Sequence, residues 1–294
     1  MNIIAVTMVF NEAVFLPLWV AYYGRELGVS NLLVVDHGSD DGSTQGLPTQ
    51  VMRLPRTALD EDGRAAFVSS LQAALLGYYD AVVFTDTDEF LVPDPDAFGG
   101  LKACIEARCD TFMAGIGINL LHVQGLEPPL DLARPPLEQR RWVRFQSEYC
   151  KPAISRVPLH WRPGFHRCDR PLIVERSLYL FHLKAMDHTL AHRERQKQNA
   201  IRMTDSALAQ GQNAQYRLGA EAFDAKFFPL SAETLPETPP SDFSFAEDLA
   251  RYHPDARNYV VSGALATVPP RFHAAIPGVP PPPPAPWWRR WRPA

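Results

Sequence analysis

The chain has 294 residues, 46% of them hydrophobic, with a formal net charge of −4 and four cysteines. That much apolar material buries a full core, so the chain reads as globular, and its length suits one large domain with appendages or two small ones. Cys104, Cys109, Cys150 and Cys168 form no C-x-x-C pair and follow no signal peptide, which reads as reduced thiols. Met1 to Phe10 is apolar but has no basic leader. It breaks at Asn11-Glu12, far short of the roughly 20 apolar residues of a membrane span.

Charge is unevenly spread. Arg134 to Arg202 holds about fifteen basic residues against about six acidic ones, while the first third is acidic. The basic stretch carries no helix-turn-helix, zinc-finger or RNP-like signature, so no nucleic acid is expected, and the phosphates of a small ligand are the simpler partner.

In chain order, Ile3 to Val9 is a continuous apolar run of strand length. From Asn11-Glu12, apolar residues Val14, Phe15, Leu18, Trp19, Tyr22, Tyr23 and Leu27 recur at helical spacing until Gly28 stops them. Leu32 to Val35 is a second buried strand entering Asp36, and His37 to Ser43 has the Gly, Ser and Asp content of a tight loop. Strand, helix, strand opens a parallel sheet. Val51 to Leu54 continues it, Ala65 to Tyr79 is a second amphipathic helix, and Ala81 to Thr85 is a strand ending in Asp86, Thr87, Asp88 and Glu89. Two readings fit that cluster alone. It is either a solvated acidic turn capping a strand, or a pair of hard oxygen ligands, Asp86 and Asp88, projecting to one side of an extended backbone and holding Mg²⁺ or Mn²⁺ on a diphosphate. Strand ends are where an open α/β sheet keeps its ligands. Arg64, at the start of the second helix, either reaches a phosphate or faces water.

Taken together, MVFNEAVFLPLWVAYYGRELGVSNLLVVDHGSDDGS and TDTDEFLVPDP resemble the family-2-type glycosyltransferases of GT-A fold, and within them the subgroup whose metal motif reads D-x-D-E-F. The joint occurrence of N-E, D-x-G-S-x-D-G-S and D-x-D-E-F after successive strands is far more specific than any one of them. The resemblance covers about the first hundred residues. It implies a GT-A-like (Rossmann-type) α/β fold, a mostly parallel sheet flanked by helices, and a hexosyltransferase-like enzyme using a nucleotide-sugar, usually a UDP-sugar, with Mn²⁺ or Mg²⁺ on the diphosphate. Carried over by position, Asn11 and Glu12 lie near the nucleoside, Asp36 contacts base or ribose, and Asp86 and Asp88 hold the metal. His37 departs from the pattern, many relatives having a second Asp there. The bland alternative for Asp36 and Asp41 is turn chemistry that fixes the loop.

Beyond Pro95, Asp96 to Arg108 reads as a helix. Thr111 to Leu121 reads as a central strand whose Gly115 and Gly117 admit a close approach of ligand or backbone. Trp142 to Phe145 and Ala153 to Val157 are short strands. Lys151, Arg156, His160, His166 and Arg167 cluster with Trp161 and Phe165, a mixture suited to phosphate binding and sugar stacking. Lys151, Arg156 and His166 are the expected ligand contacts. Leu178 to Leu183 is a strand. Its His182 is either a third metal ligand, as a late His often is in enzymes of this resemblance, or a half-buried histidine bonded to backbone. No motif identifies a catalytic base, and Glu148, Asp169, Asp187 and Glu89 are the candidates, Glu89 also being placed to support the metal cluster.

Thr189 to Gln210 has a long helical pattern ended by Gly211, and Phe243 to Tyr259 a small helical one. The division expected is a GT-A-like domain over 1–230, with its nucleotide half at 1–110 and its acceptor half at 111–230, a helical extension over 231–267, and a Pro-rich tail over 268–294. Trp287, Trp288, Arg289, Arg290, Trp291 and Arg292 tip that tail. Three roles fit the tip: an interfacial membrane anchor, a docking peptide, or a segment without function. The reading that unites these features is a cytoplasmic enzyme, at most peripheral at the inner membrane face, moving a sugar to a hydroxyl of a glycan or lipid-linked acceptor, as in cell-envelope polysaccharide assembly. A sugar-phosphate nucleotidyltransferase is the alternative enzyme, though it would open with a Gly-rich, basic loop that MVFNEAVF lacks. A non-catalytic nucleotide- or glycan-binding module is the alternative outside the enzymes.

Overall fold

The computed structural model describes residues 1–231, 233–236, 243–252 and 262–279. Within them the strands are β1 (Ile3–Val9), β2 (Leu32–Asp36), β3 (Gln50–Arg53), β4 (Ala81–Phe84), β5 (Glu89–Pro93), β6 (Phe112–Leu121), β7 (Trp142–Gln146), β8 (Ile154–Ser155), β9 (Val174–His182) and β10 (Ser262–Thr267). The helices are α1 (Phe15–Leu27), α2 (Glu61–Leu75), α3 (Leu101–Arg108), α4 (Pro136–Gln139), α5 (His188–Ala200), α6 (Asp205–Ala209), α7 (Ala220–Phe227) and α8 (Ala246–Arg251). One mixed sheet runs β10-β7-β6-β8-β4-β1-β2-β3, with β9 beside β6 and β5 beside β9.

The first half is the expected parallel sheet. β1 lies between β2 and β4, Ala5 opposite Leu32 and Ile3 opposite Ala81, and β2 pairs with β3, all in parallel. Both faces of β1, β2 and β4 are covered, which is why they read as unbroken apolar runs, whereas the edge strand β3 is exposed. Ile3, Ala5 and Val9 pack into a core shared with the Phe15, Trp19 and Tyr23 face of α1, while Ile4 and Val6 pack with Ala65 and Val68 of α2. Gly28, at φ 89°, ends α1, a conformation open to glycine at little cost. α2 begins four residues before the expected Ala65, because Asp60 caps it, accepting from the N–H groups of Asp62 and Gly63 at 3.0 and 3.1 Å.

The second half is largely antiparallel and departs from expectation in several places. Residues 86–89 are a tight turn, not an extended backbone, with Glu89 N–H donating to the Asp86 carbonyl at 3.1 Å, and the chain re-enters the sheet as β5. The long helix expected to Gln210 stops at Ala200. A second start, capped by Thr204, whose hydroxyl accepts from Ala207 N–H at 3.1 Å, makes α6. Among its described residues, the segment expected as a helical extension is helical only at α8, and it ends as strand β10, antiparallel to β7. Residues 268–279, expected to begin a free spacer, pack instead: Val268, Phe272 and Ile276 are buried with Tyr179 and Phe181, and Tyr179 OH donates to the Phe243 carbonyl at 3.1 Å. The Trp/Arg tip, residues 287–292, lies outside the described residues. No helix among the described residues is long and apolar enough to cross a membrane.

β6 is buried along its whole length, and Gly117 is what lets the chain cross it. A Cβ there would lie 2.2 Å from the backbone carbon of Tyr149. The close approach anticipated at Gly115 and Gly117 is therefore backbone. Gly117→Ala should cost about 1–3 kcal/mol by overpacking, whereas Gly99, whose missing Cβ faces open space, should tolerate Ala within about 0.5 kcal/mol. Equal urea midpoints for the two variants would contradict this account of the crossing.

Candidate functional site

The acidic turn after β4 is fixed by the polar tips of α1's aromatic stripe. Trp19 Nε1 donates to Thr85 Oγ1 at 2.8 Å, Tyr22 OH to the Leu91 carbonyl at 2.5 Å and Tyr23 OH to the Glu89 carbonyl at 3.1 Å. Aromatic side chains with a polar handle thus serve the core and the turn at once. Register supplies the next residues. Glu89 on β5 faces His182 on β9, and His182 faces Asn119 on β6, so the three side chains form one row on one side of the sheet. The crossing at Gly117 brings the 147–151 segment over that row, adding Glu148, Tyr149 and Lys151.

These residues line a cleft of about 490 Å³, together with Glu12, Arg64, Asp86, Asp88 and His166. Lys151 Nζ is buried between two carboxylates, 3.2 Å from Asp86 Oδ2 and in contact with Glu89 Oε1. Burial alone would push its pKa down, but Glu89 and Asp86 hold it above the usual lysine range. Arg64 pairs with the other Asp86 oxygen and with Glu61 at 3.2 Å. Against the penalty of burial, Lys151 and His182 hold Glu89 well below the usual carboxylate range, and Arg64 and Lys151 do the same for Asp86.

Asp88 differs. Among the described residues its carboxylate has no hydrogen bond or ion pair. Burial, then the charges of Glu89 and Asp86, push its pKa up to about 6, against the opposing Lys184. His182 stacks on Tyr149 with ring centroids 3.9 Å apart. Its Nε2 lies 3.1 Å from Glu89 Oε1 but out of line for a hydrogen bond, and is buried without another partner. His166 is neutral: burial and the Lys151 ammonium push its pKa down to about 3, and its Nδ1–H donates to the Glu148 carbonyl at 2.5 Å.

Other expected residues lie elsewhere. Asp36 does not line the cleft: its buried carboxylate accepts from Ser39 N–H at 2.7 Å, Thr44 Oγ1 at 2.9 Å and Arg53 at 2.5 Å, so it fixes the loop after β2. Asn11, in the left-handed region at φ 53°, joins that loop to the one after β1, its Nδ2 donating to Asp40 at 2.7 Å. Arg156 donates to the Cys109 carbonyl at the far end of β8. Asp169 accepts from His160 N–H at 3.1 Å on an exposed loop. Asp187 caps α5, accepting from Leu190 N–H, and pairs at 3.1 Å with the buried Arg140. These placements take Asp169 and Asp187 away from any reacting group in the cleft, for reasons of loop position and helix capping.

The cleft also holds residues the sequence reading passed over. Lys184 stands over the Tyr216 ring at 4.2 Å. Just outside the cleft lining, Lys197 bridges Glu12 at 2.8 Å and Glu194 at 2.6 Å, and burial with Glu194 nearby raises the Glu12 pKa. Asn119 Oδ1 and Gln146 Oε1 are buried acceptors without a partner. An Asn inside the apolar run Phe112–Leu121 was the one available signal for this group, since a polar side chain on a central strand must be accounted for.

The three expected metal ligands, Asp86, Asp88 and His182, do not converge as a ready-made trio. The donor chemistry nevertheless fits a divalent cation. A carboxylate and an imidazole nitrogen both lack partners inside a locally negative field, and carboxylate with imidazole suits Mn²⁺. Asp86 would have to share an oxygen that Lys151 or Arg64 now holds.

No family model matches the chain, and no curated protein matches it. Among solved structures it is similar to glucosyl-3-phosphoglycerate synthase from Mycobacterium tuberculosis in complex with Mn²⁺, UDP and glucosyl-3-phosphoglycerate, at 19% identity over 40% of this chain and 44% of that one, TM-score 0.29. A mannosyltransferase from Pyrobaculum calidifontis in complex with GDP-Man and Mn²⁺ matches at 16% identity over 42% and 36%, TM-score 0.26. Mannose-1-phosphate geranyltransferase from Thermus thermophilus matches at 12% identity over 79% and 70%, TM-score 0.28. The matched part is less than half the length of the first two, and with TM-scores below 0.5 these likenesses settle neither substrate nor reaction for this chain.

The raised Asp88 pKa has a consequence for stability. The folded carboxyl titrates near 6 and an unfolded one near 4, so a penalty sets in as pH rises through that window and is constant above it. Asp88→Asn should therefore stabilise the metal-free protein at pH 7–8 by about 1–3 kcal/mol, with the gain vanishing below about pH 4. Urea unfolding at the two pH values checks this, and a destabilised variant at pH 8 would contradict it.

Proposed function

We propose that the chain is a metal-dependent glycosyltransferase that moves a sugar from a UDP-sugar to a hydroxyl of a glycan or lipid-linked acceptor. The observation that carries this reading is the Asp88 carboxylate, without a hydrogen bond or ion pair among the described residues, in a cleft with the buried His182 Nε2, whose walls also carry Lys151, Arg64 and Lys184. Asp88 and His182, with Asp86 sharing, would hold Mn²⁺ or Mg²⁺, which supplies charge neutralisation on the leaving diphosphate. Lys184 and Arg64 are the cations nearest for phosphate oxygens, and the open acceptors of Asn119 and Gln146 suit sugar hydroxyls. Glu89, engaged by Lys151, orients the cluster. Glu148 remains as the base: it lines the cleft, and its carboxylate has no hydrogen bond or ion pair among the described residues. As the acceptor oxygen bonds to the anomeric carbon and the bond to the diphosphate breaks, Glu148 takes the hydroxyl proton.

Calorimetry with UDP and Mn²⁺ tests the reading. The wild type should bind UDP only with metal present, Asp88→Asn should lose that binding, and His182→Ala should weaken Mn²⁺ about tenfold or more. Glu148→Gln should keep UDP affinity while turnover falls by about 10²-fold or more. Unchanged UDP affinity in Asp88→Asn would overturn the metal assignment. Release of pyrophosphate in place of UDP would point to a nucleotidyltransferase.

A further inference from the structure

We propose that α5 and α7 carry a separate transition-metal site of the zinc class, formed by His188, His192 and Asp224. The two histidines are one turn apart on α5, the i, i+4 spacing that places side chains on one face. Asp224 comes from the middle of α7. One ligand atom from each of the three lies within 4.8 Å of the others, the one such convergence of His, Cys, Asp or Glu side chains among the described residues. His188 Nε2 and His192 Nε2 lie 3.1 and 2.6 Å from the same oxygen, Asp224 Oδ1. Neighbouring ligands of a tetrahedral Zn²⁺ are roughly 3.3 Å apart, so a small opening of the trio admits the ion.

The imidazoles are held for this. The His188 ring packs edge-on against Phe228 at 4.9 Å and the His192 ring against Phe223 at 5.1 Å. Two imidazoles and one carboxylate are the donor set of zinc and its neighbours, and too rich in nitrogen for Mg²⁺ or Ca²⁺. Side-chain exposures of 30%, 19% and 36% leave one side open to water, which can fill a fourth position. None of the three lines the cleft, but the following turns do, Glu194 and Gln198 on α5 and Lys226 and Phe227 on α7. A metal here joins the two helices that make that wall, independently of any cation on Asp88.

The test is Zn²⁺ titration of the full chain in competition with a chromogenic chelator, with Co²⁺ absorption reporting ligand geometry. Wild type should bind one equivalent here besides any cation held at Asp88, and Asp88→Asn should keep that equivalent with a tetrahedral Co²⁺ spectrum. Asp224→Asn keeps an oxygen for both imidazoles, so the fold is retained, and it should weaken Zn²⁺ about tenfold or more. The His188→Ala/His192→Ala double variant should lose the site. The proposal is overturned if the wild type binds no Zn²⁺, if Asp224→Asn and the double variant bind as the wild type does, or if only Asp88→Asn loses the equivalent.

Discussion

Three carboxylates within four residues, at the end of a buried strand, would repel one another and resist burial. The structure tolerates Asp86, Asp88 and Glu89 because Lys151 and Arg64 are buried with them. Charges taken out of water persist only when paired with good geometry. Much of the second half serves that pairing. β6 must carry glycine at 117 for the Tyr149–Lys151 segment to cross it, and β9 must lie against β5 in a register that sets His182 opposite Glu89. Asp88 alone of the three is left without an ion pair among the described residues, and burial with the charges of Glu89 and Asp86 outweighs Lys184 there. Stability alone does not favour such a deficit; a ligand that brings positive charge does.

The first half of the chain was readable because its physics is local. Strands covered on both faces leave continuous apolar runs, and the residues where those runs stop fall at the ligand edge of the sheet. The aromatic stripe of α1 was equally plain as a core face. That Trp19, Tyr22 and Tyr23 also hold the acidic turn by their polar tips depends on tertiary placement that spacing does not contain.

The second half resisted for a related reason. β5 begins at a carboxylate and ends at a proline, and only its antiparallel pairing with β9 makes it a strand. Asp187 was a candidate base, yet an Asp directly before a helical pattern is a cap, and Arg140 claims what the helix leaves. Asp36 sits at the expected strand end, but the loop's own Ser39 N–H and Thr44 hydroxyl, with Arg53, saturate it. In each case the partner decided the role. Lys151 shows the converse, a residue chosen for phosphate that is occupied in keeping two carboxylates ionised.

The account therefore rests on where positive charge enters the cleft. Anomalous diffraction from crystals grown with UDP and Mn²⁺ locates it directly. The account predicts a manganese peak within bonding distance of Asp88 and His182 Nε2, bridging to the diphosphate, with Lys151 still between Asp86 and Glu89. UDP bound in the cleft with no metal at Asp88, its diphosphate held by Lys184 and Arg64 alone, would contradict it.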